Sequence, residues 1–357
     1  MFLRLFLIAF LLLPLLGACA PAIQPTPTAA QSGQTDLAGI KTYLLDKTAA
    51  LKLDAAALQA AAARYYQLAE TAGFDYAALW QNQPAGAAQA IADARSAWMR
   101  ASPAYEQVEG IVAGVPMLRA YDVILDAGAS GAEDPQNAVP FDLHLADGRT
   151  FEQPGNLFGV LESALWGTEP AFKAAEADLD GNGRQDFGEA LPDAHLLLAA
   201  ADSLAAYIVE LENAAQAWRP SKSDAFTALV VMIPTMNEYF NSWKSSRFVS
   251  GAASTQRDFV AISRLADMQD ILGSLQVVYR GIRPLADDAD AAQAGQIEDG
   301  LADLKAFIAD IHTQEKTGRR FSPEDADLLG AEAQNRATAL AGQVAQVAAQ
   351  LQIPIHE

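Results

Sequence analysis

Cysteine is almost absent from this chain: there is one, Cys19. A single thiol closes no disulfide, so a cross-linked framework is excluded. Histidine is scarce too. His144, His195, His312 and His356 are the four, and none stands in a His-Glu-x-x-His arrangement, which a water-activating zinc site of that kind needs. No nucleophile–base arrangement is visible, which argues against a hydrolase. Basic residues are the third shortage. The 24 lysines and arginines face 44 aspartates and glutamates, a formal charge of −20. So acidic a surface repels nucleic acid and anionic headgroups, and suits a protein that meets cations.

What is present begins with Arg4, an apolar run from Leu5 to Leu16 broken only by Pro14, and then Leu16-Gly17-Ala18-Cys19. The run falls short of the roughly 20 residues of a spanning helix. Small residues before the cysteine resemble a bacterial lipobox. Residues 1–18 therefore read as a lipoprotein signal peptide and Cys19 as the acylated mature N-terminus, held in the membrane by two or three chains (palmitate or similar) where one is marginal. Loss of Arg4 with the signal leaves 23 basic against 44 acidic residues, or −21. Residues 19–35 are uncharged and rich in proline, threonine and glutamine, and read as a flexible tether. The expected location is extracytoplasmic, on the membrane of a bacterial envelope.

Asp178-Leu-Asp180-Gly-Asn182-Gly183-Arg184-Gln-Asp186-Phe-Gly-Glu189 meets every ligand position of an EF-hand-like calcium loop. Asp178, Asp180, Asn182 and Asp186 place oxygens at positions 1, 3, 5 and 9. Arg184 offers its carbonyl at position 7, Gly183 permits the turn at position 6, and Glu189 binds bidentately at position 12. Position 8, usually apolar where two such loops pair, is Gln185, and no second loop occurs. A single structural Ca2+ clip is expected.

Most of the remainder has helical periodicity. Approximate helices are 36–50, 54–72, 85–114, 156–166, 192–218, 222–249, 255–282, 288–312 and 323–352. Ser322-Pro323-Glu324-Asp325 supplies an N-cap, proline at the first helical position and acids in the first turn. Pro103 and Pro234 should kink or break their helices. Alternation on both sides of Asp147-Gly148 predicts a small β-hairpin. The expected fold is all-α: a first helical bundle over 36–132, an irregular middle over 133–191 with the hairpin and the calcium loop, and a second antiparallel bundle over 192–357.

Carboxylates recur at helical spacings on apolar segments: Glu106 and Glu109, Asp122 and Asp126, Asp267 and Asp270, with Glu162 alone in Leu157–Trp166. Spacings of three or four share a helix face, and inward carboxylates in a bundle are a usual way to hold a hard metal. These same segments carry a resemblance. Leu157–Gly167 looks like the signature of the imelysin-like family, where His-x-x-Glu precedes Leu-Trp-Gly. Tyr105–Glu109, Asp122/Asp126, Ser263–Asp270 and Asn241–Phe248 are similar to its other conserved stretches, and the likeness runs from about residue 40 to the end. Within the family it is most similar to the imelysin-like component of Efe-type iron-uptake systems, an anchored partner of a membrane iron permease. The resemblance implies two bundles with a metal or ligand site between them, built here from Glu106, Glu109, Asp122, Asp126, Glu162, Asp267 and Asp270. The family's histidine position is Gly159, so any site is oxygen-only and favours calcium, magnesium, manganese or ferric iron over zinc.

Two functions are consistent with these residues. One is an anchored binding protein for iron or another hard cation, working with a transporter. The other is an envelope lipoprotein that binds a polysaccharide or protein partner, with calcium as a structural element only.

Overall fold

Alanine-rich stripes without a breaker let helices run long. α1 (Leu37–Thr71) is continuous where two helices were expected, because Leu44, Leu51, Leu58 and Tyr65 recur at intervals of seven and are all buried. The computed structural model describes residues 34–356, so the signal segment, Cys19 and nearly all of the tether lie outside the described residues. After α1 come α2 (Tyr76–Asn82) and α3 (Pro84–Val112). Pro103 sits inside α3 without ending it. α4 (Arg119–Asp122) runs directly into a π-helical turn, Val123–Ala127, where Gly128 N–H reaches back to the Val123 carbonyl at 3.0 Å.

The expected hairpin forms. β1 (Leu143–His144) pairs antiparallel with β2 (Thr150–Phe151), Leu143 opposite Phe151. α5 (Leu157–Trp166) follows, buried on nearly every side. β3 (Lys173–Glu176) and β4 (Ala190–Pro192) pair antiparallel at the two ends of the Asp178–Glu189 loop. Strands flank this loop, not the helices of a true EF-hand.

α6 (Ala194–Ala217), α7 (Lys222–Met232) and α8 (Met236–Ser245) come next. Non-helical backbone at Pro234 separates α7 from α8, since proline removes the N–H its predecessor turn needs. α9 (Arg247–Ser250) is a single turn, and 254–263 is irregular where a helix was expected. α10 (Arg264–Lys316) is capped by Ser263 and folds back at Asp290, whose backbone is extended. Its two limbs lie antiparallel: Gln269 meets His312 at 2.9 Å and Arg283 pairs with Glu298. α11 (Pro323–Gln350) starts at the expected Ser322 cap, closed reciprocally by Asp325.

Residues from Thr35 onward form one compact unit. α1 packs against α3 and α6, the start of α10 lies on α3, and α11 covers α7, α8 and α10. α6, expected with the C-terminal helices, therefore groups with the N-terminal ones. β4 delivers the chain to α1, where Tyr65 Oη donates to the Pro192 carbonyl at 2.9 Å. α6 is long and apolar enough to cross a membrane by composition, yet Leu197, Leu204, Ile208 and Leu211 are fully buried along this face.

Candidate metal centre

The acid cluster is assembled where α3 passes the π-turn and the start of α10. α3 turns Glu106 and Glu109 to one face, as their i, i+3 spacing requires, and the π-turn adds Asp126. Ligand oxygens of these three lie within 4.8 Å of one another. All three are buried, with Glu106 and Glu109 at 1% and 3% exposure. Single π-type turns often mark functional sites. Here the turn carries Asp126 inward. Asp122, just before it, accepts a 2.7 Å hydrogen bond from Tyr105 Oη.

Arg264 enters this cluster from the first turn of α10. Its Nη1 lies 2.9 Å from Asp267, 3.6 Å from Glu106 and 3.9 Å from Asp126. Its guanidinium also stacks over Phe259 at 3.8 Å and Tyr239 at 4.6 Å. Tyr239 Oη in turn donates to Glu109 at 2.5 Å. One guanidinium, within 4 Å of Glu106, Asp126 and Asp267, is thus set against five buried carboxyls in all, Glu109 and Asp122 being the others. At Glu106, Asp122, Asp126 and Asp267 burial is the first cause that raises the carboxyl, and neighbouring acids add to it. Glu106 and Asp122 are held well above the usual range, Asp126 rises to about 8 and Asp267 to about 6. Arg264 restrains the rise at Asp122, Asp126 and Asp267 without cancelling it. Oε2 of Glu106 and Oε2 of Glu109 are buried with no hydrogen-bond partner, although such oxygens are almost always satisfied.

Two of the expected residues do something else. Glu162 is 1% exposed, as its apolar helix implied, but its carboxylate accepts N–H bonds from Phe259, Val260 and Ala261 at 2.6, 2.9 and 2.7 Å. It clamps the 254–263 loop to α5. Burial drives its pKa to about 8 against the pull of those bonds. Asp270 is not in the cluster. Three residues along α10 turn it toward Lys305, Lys47 and Gln107, while Asp267 faces Arg264.

Asp258 is a wall residue that spacing alone did not reveal. A Cβ built on Gly159 stands 2.8 Å from Asp258 Oδ2 and 3.0 Å from Asn156 Oδ1. The missing side chain at 159 is what admits Asp258. A histidine there would first have to displace it. Asp258, Glu109, Asp126, Tyr239 and Arg264 share a cavity of about 510 Å³ with Glu133 and Glu238. A water-sized void of about 10 Å³ lies deeper, between Gly159, Glu106, Asp126 and Asp267. The donor set is oxygen-only, and two buried carboxylate oxygens without a hydrogen-bond partner, in a cluster with more acid than base, fit a hard cation.

The Asp178–Glu189 loop brings three of its expected ligands together. Oxygens of Asp178, Asp180 and Glu189 lie within 4.8 Å of one another. Gly183 has φ +78° and donates its N–H to Asp178 at 2.7 Å. Asn182 N–H donates to Asp178 and Asp180, and its amide reaches Asp186 at 3.1 Å. Arg184 N–H donates to Asn182 Oδ1. Glu189 accepts from the N–H groups of Asp180 and Asp186. Gln185, out of place for a paired loop, ties back to Glu176 and to the Glu189 carbonyl.

The family profile that matches the chain is described as Imelysin, within the peptidases, and spans residues 37–351. No curated protein matches it.

Proposed function

The chain belongs to the imelysin family, and from that premise we propose that it binds a hard cation, iron or manganese among them, in the cavity at Glu106, Glu109 and Asp126, and cleaves no peptide. One observation carries this reading: five buried carboxyls against one guanidinium, with two of their oxygens unpartnered. An unpaired buried carboxylate is costly. Protons or a cation must balance it, and a cation of high charge does so best with oxygen ligands. Asp122 and Asp267 support the ring of acids, Arg264 limits its charge, and Glu162 holds the loop that forms one wall. In this reading the cation is cargo, handed to a membrane transporter such as an iron permease in an Efe-type uptake system. Cys19 tethers the protein beside it. The Asp178–Glu189 loop takes Ca2+ and stiffens the β3–β4 junction, with no part in cargo binding.

The test is Mn2+ titration of protein carrying Glu189→Gln, so that the calcium loop is disabled. Saturable binding that Glu109→Gln or Asp126→Asn weakens at least ten-fold supports the proposal. No saturable binding in the Glu189→Gln parent refutes it. For the anchor, Cys19→Ser should release the protein from the membrane fraction or leave it unprocessed, and normal retention would refute that part.

A further inference from the structure

A second cavity, about 700 Å³, is lined by Phe187, Arg247, Phe248, Thr255, Gln256 and Arg320 among others, and by no carboxylate. That is unusual in a chain with 44 acidic residues. Neither Arg247 nor Arg320 forms a salt bridge among the described residues. Arg247 nonetheless has an aromatic neighbour: its guanidinium carbon lies over the Phe187 ring, 3.6 Å from the centre. Stacked this way, a guanidinium keeps its edge N–H groups free for a planar acceptor. Phe187 itself is 45% exposed although it is a large apolar side chain. It belongs to the Asp178–Glu189 loop and reaches out of it to the arginine.

We propose that this cavity binds the carboxylate of a small organic acid. The argument is one of chemistry and size. Two guanidiniums, neither in a salt bridge although Arg320 is near enough to Glu315 to draw on its charge, supply positive charge for an anion and fork geometry that matches a carboxylate. Phe187, Phe248, Val249 and Val260 supply apolar walls, which suit a carbon-bearing acid better than a fully hydrated inorganic ion. Thr255 and Gln256 add uncharged polar groups. A volume near 700 Å³ falls in the usual range for small-molecule sites. The net charge of −20 repels large polyanions at a distance, so a small acid drawn in by the local arginine pair is the fitting occupant. Thr255 and Gln256 also line the acidic cavity. The 254–263 loop, clamped by Glu162, is thus a shared wall between a place for a cation and a place for an anion.

The probe is tricarballylate, a tricarboxylate that chelates metals weakly, titrated calorimetrically into metal-free full-length protein. Saturable binding is expected, weakened at least ten-fold by Arg247→Ala and by Arg320→Ala, unchanged by Glu109→Gln, and at least ten-fold tighter than inorganic phosphate. Both arginines are exposed, so their replacement leaves the core intact. The proposal is overturned by no saturable binding, by equal binding in the arginine variants, or by phosphate binding as tightly. The inference stands apart from the cation reading, because Mn2+ titration of the same variants reports the other cavity separately.

Discussion

Among the described residues, Arg264 is the one cation that touches the buried carboxyls. Removing it leaves uncompensated buried charge, so Arg264→Gln should destabilise the fold by about 3–5 kcal/mol at neutral pH. The loss should shrink at pH 5, where more of the carboxyls are neutral. Urea unfolding at both values checks this, and equal losses at pH 5 and pH 7 would contradict it. Glu162 gives a different outcome. Glu162→Gln can keep the oxygen that accepts from Val260 and Ala261 but turns an amide N–H₂ toward the Phe259 N–H, which should cost about 1–3 kcal/mol. Mn2+ affinity should fall far less than in Glu109→Gln, and a comparable fall would mean that Glu162 is a ligand after all. Burial of Glu162 was legible in its apolar segment. Its role was not, because its partners lie 97 to 99 residues away in an irregular loop. Tyr239 and Asp258 were missed as site residues for the same reason, since spacing reports one helix face and they reach the cluster from other segments; Arg264, three residues before Asp267 on one face of α10, was within reach of that spacing. The empty position at Gly159 was visible, but not that Asp258 fills it.

At the level of elements, apolar periodicity and caps located most helices, and the hairpin at Asp147-Gly148 followed from alternation alone. Two kinds of feature escaped. Continuity did, because nothing local distinguishes the joined α1 from two helices except the unbroken stripe Leu44–Leu51–Leu58. Partnership did too, since α6 reads the same whichever helices it packs against. Proline was an uneven guide. It stops the helix at Pro234 but is carried within α3 at Pro103. The turn from Asp178 to Glu189 was legible too, because the acids that converge in it are close in sequence and need no tertiary contact to be recognised. Its test belongs at this scale. A ligand at 100 times its Kd stabilises by about 2.7 kcal/mol, so saturating Ca2+ should raise the Tm by several degrees. Glu189→Gln should remove most of that rise, since it loses one carboxylate oxygen and the charge. Identical melting curves with calcium and with a chelator would show that the loop binds none.

At the level of the whole molecule, charge and pH decide how stable the fold is without a cation. Unfolded carboxyls titrate near 4, whereas Asp267 and Asp126 do so at about 6 and about 8 and Glu106 and Asp122 well above their usual range. Between these limits the folded protein holds more protons than the unfolded chain. Stability therefore falls as pH rises through that window, opposite to a carboxylate held by a salt bridge. Chelator-treated protein should melt at a higher temperature at pH 5 than at pH 8. General repulsion within a chain of net charge −20 acts in the same direction, so the cluster's share must be isolated. Asp126→Asn with Glu106→Gln removes two of the titrating groups, and it should flatten the decline while leaving surface repulsion nearly intact. Mn2+ competes with the same protons. It should raise the Tm more at pH 8 than at pH 5 in the Glu189→Gln parent, and hardly at all in the variant that also lacks Glu106 and Asp126. A parent whose pH decline matches that of the variant would place the charge balance elsewhere. The cluster would then be a neutralised ion-pair network closed by Arg264, with no room in its charge for cargo.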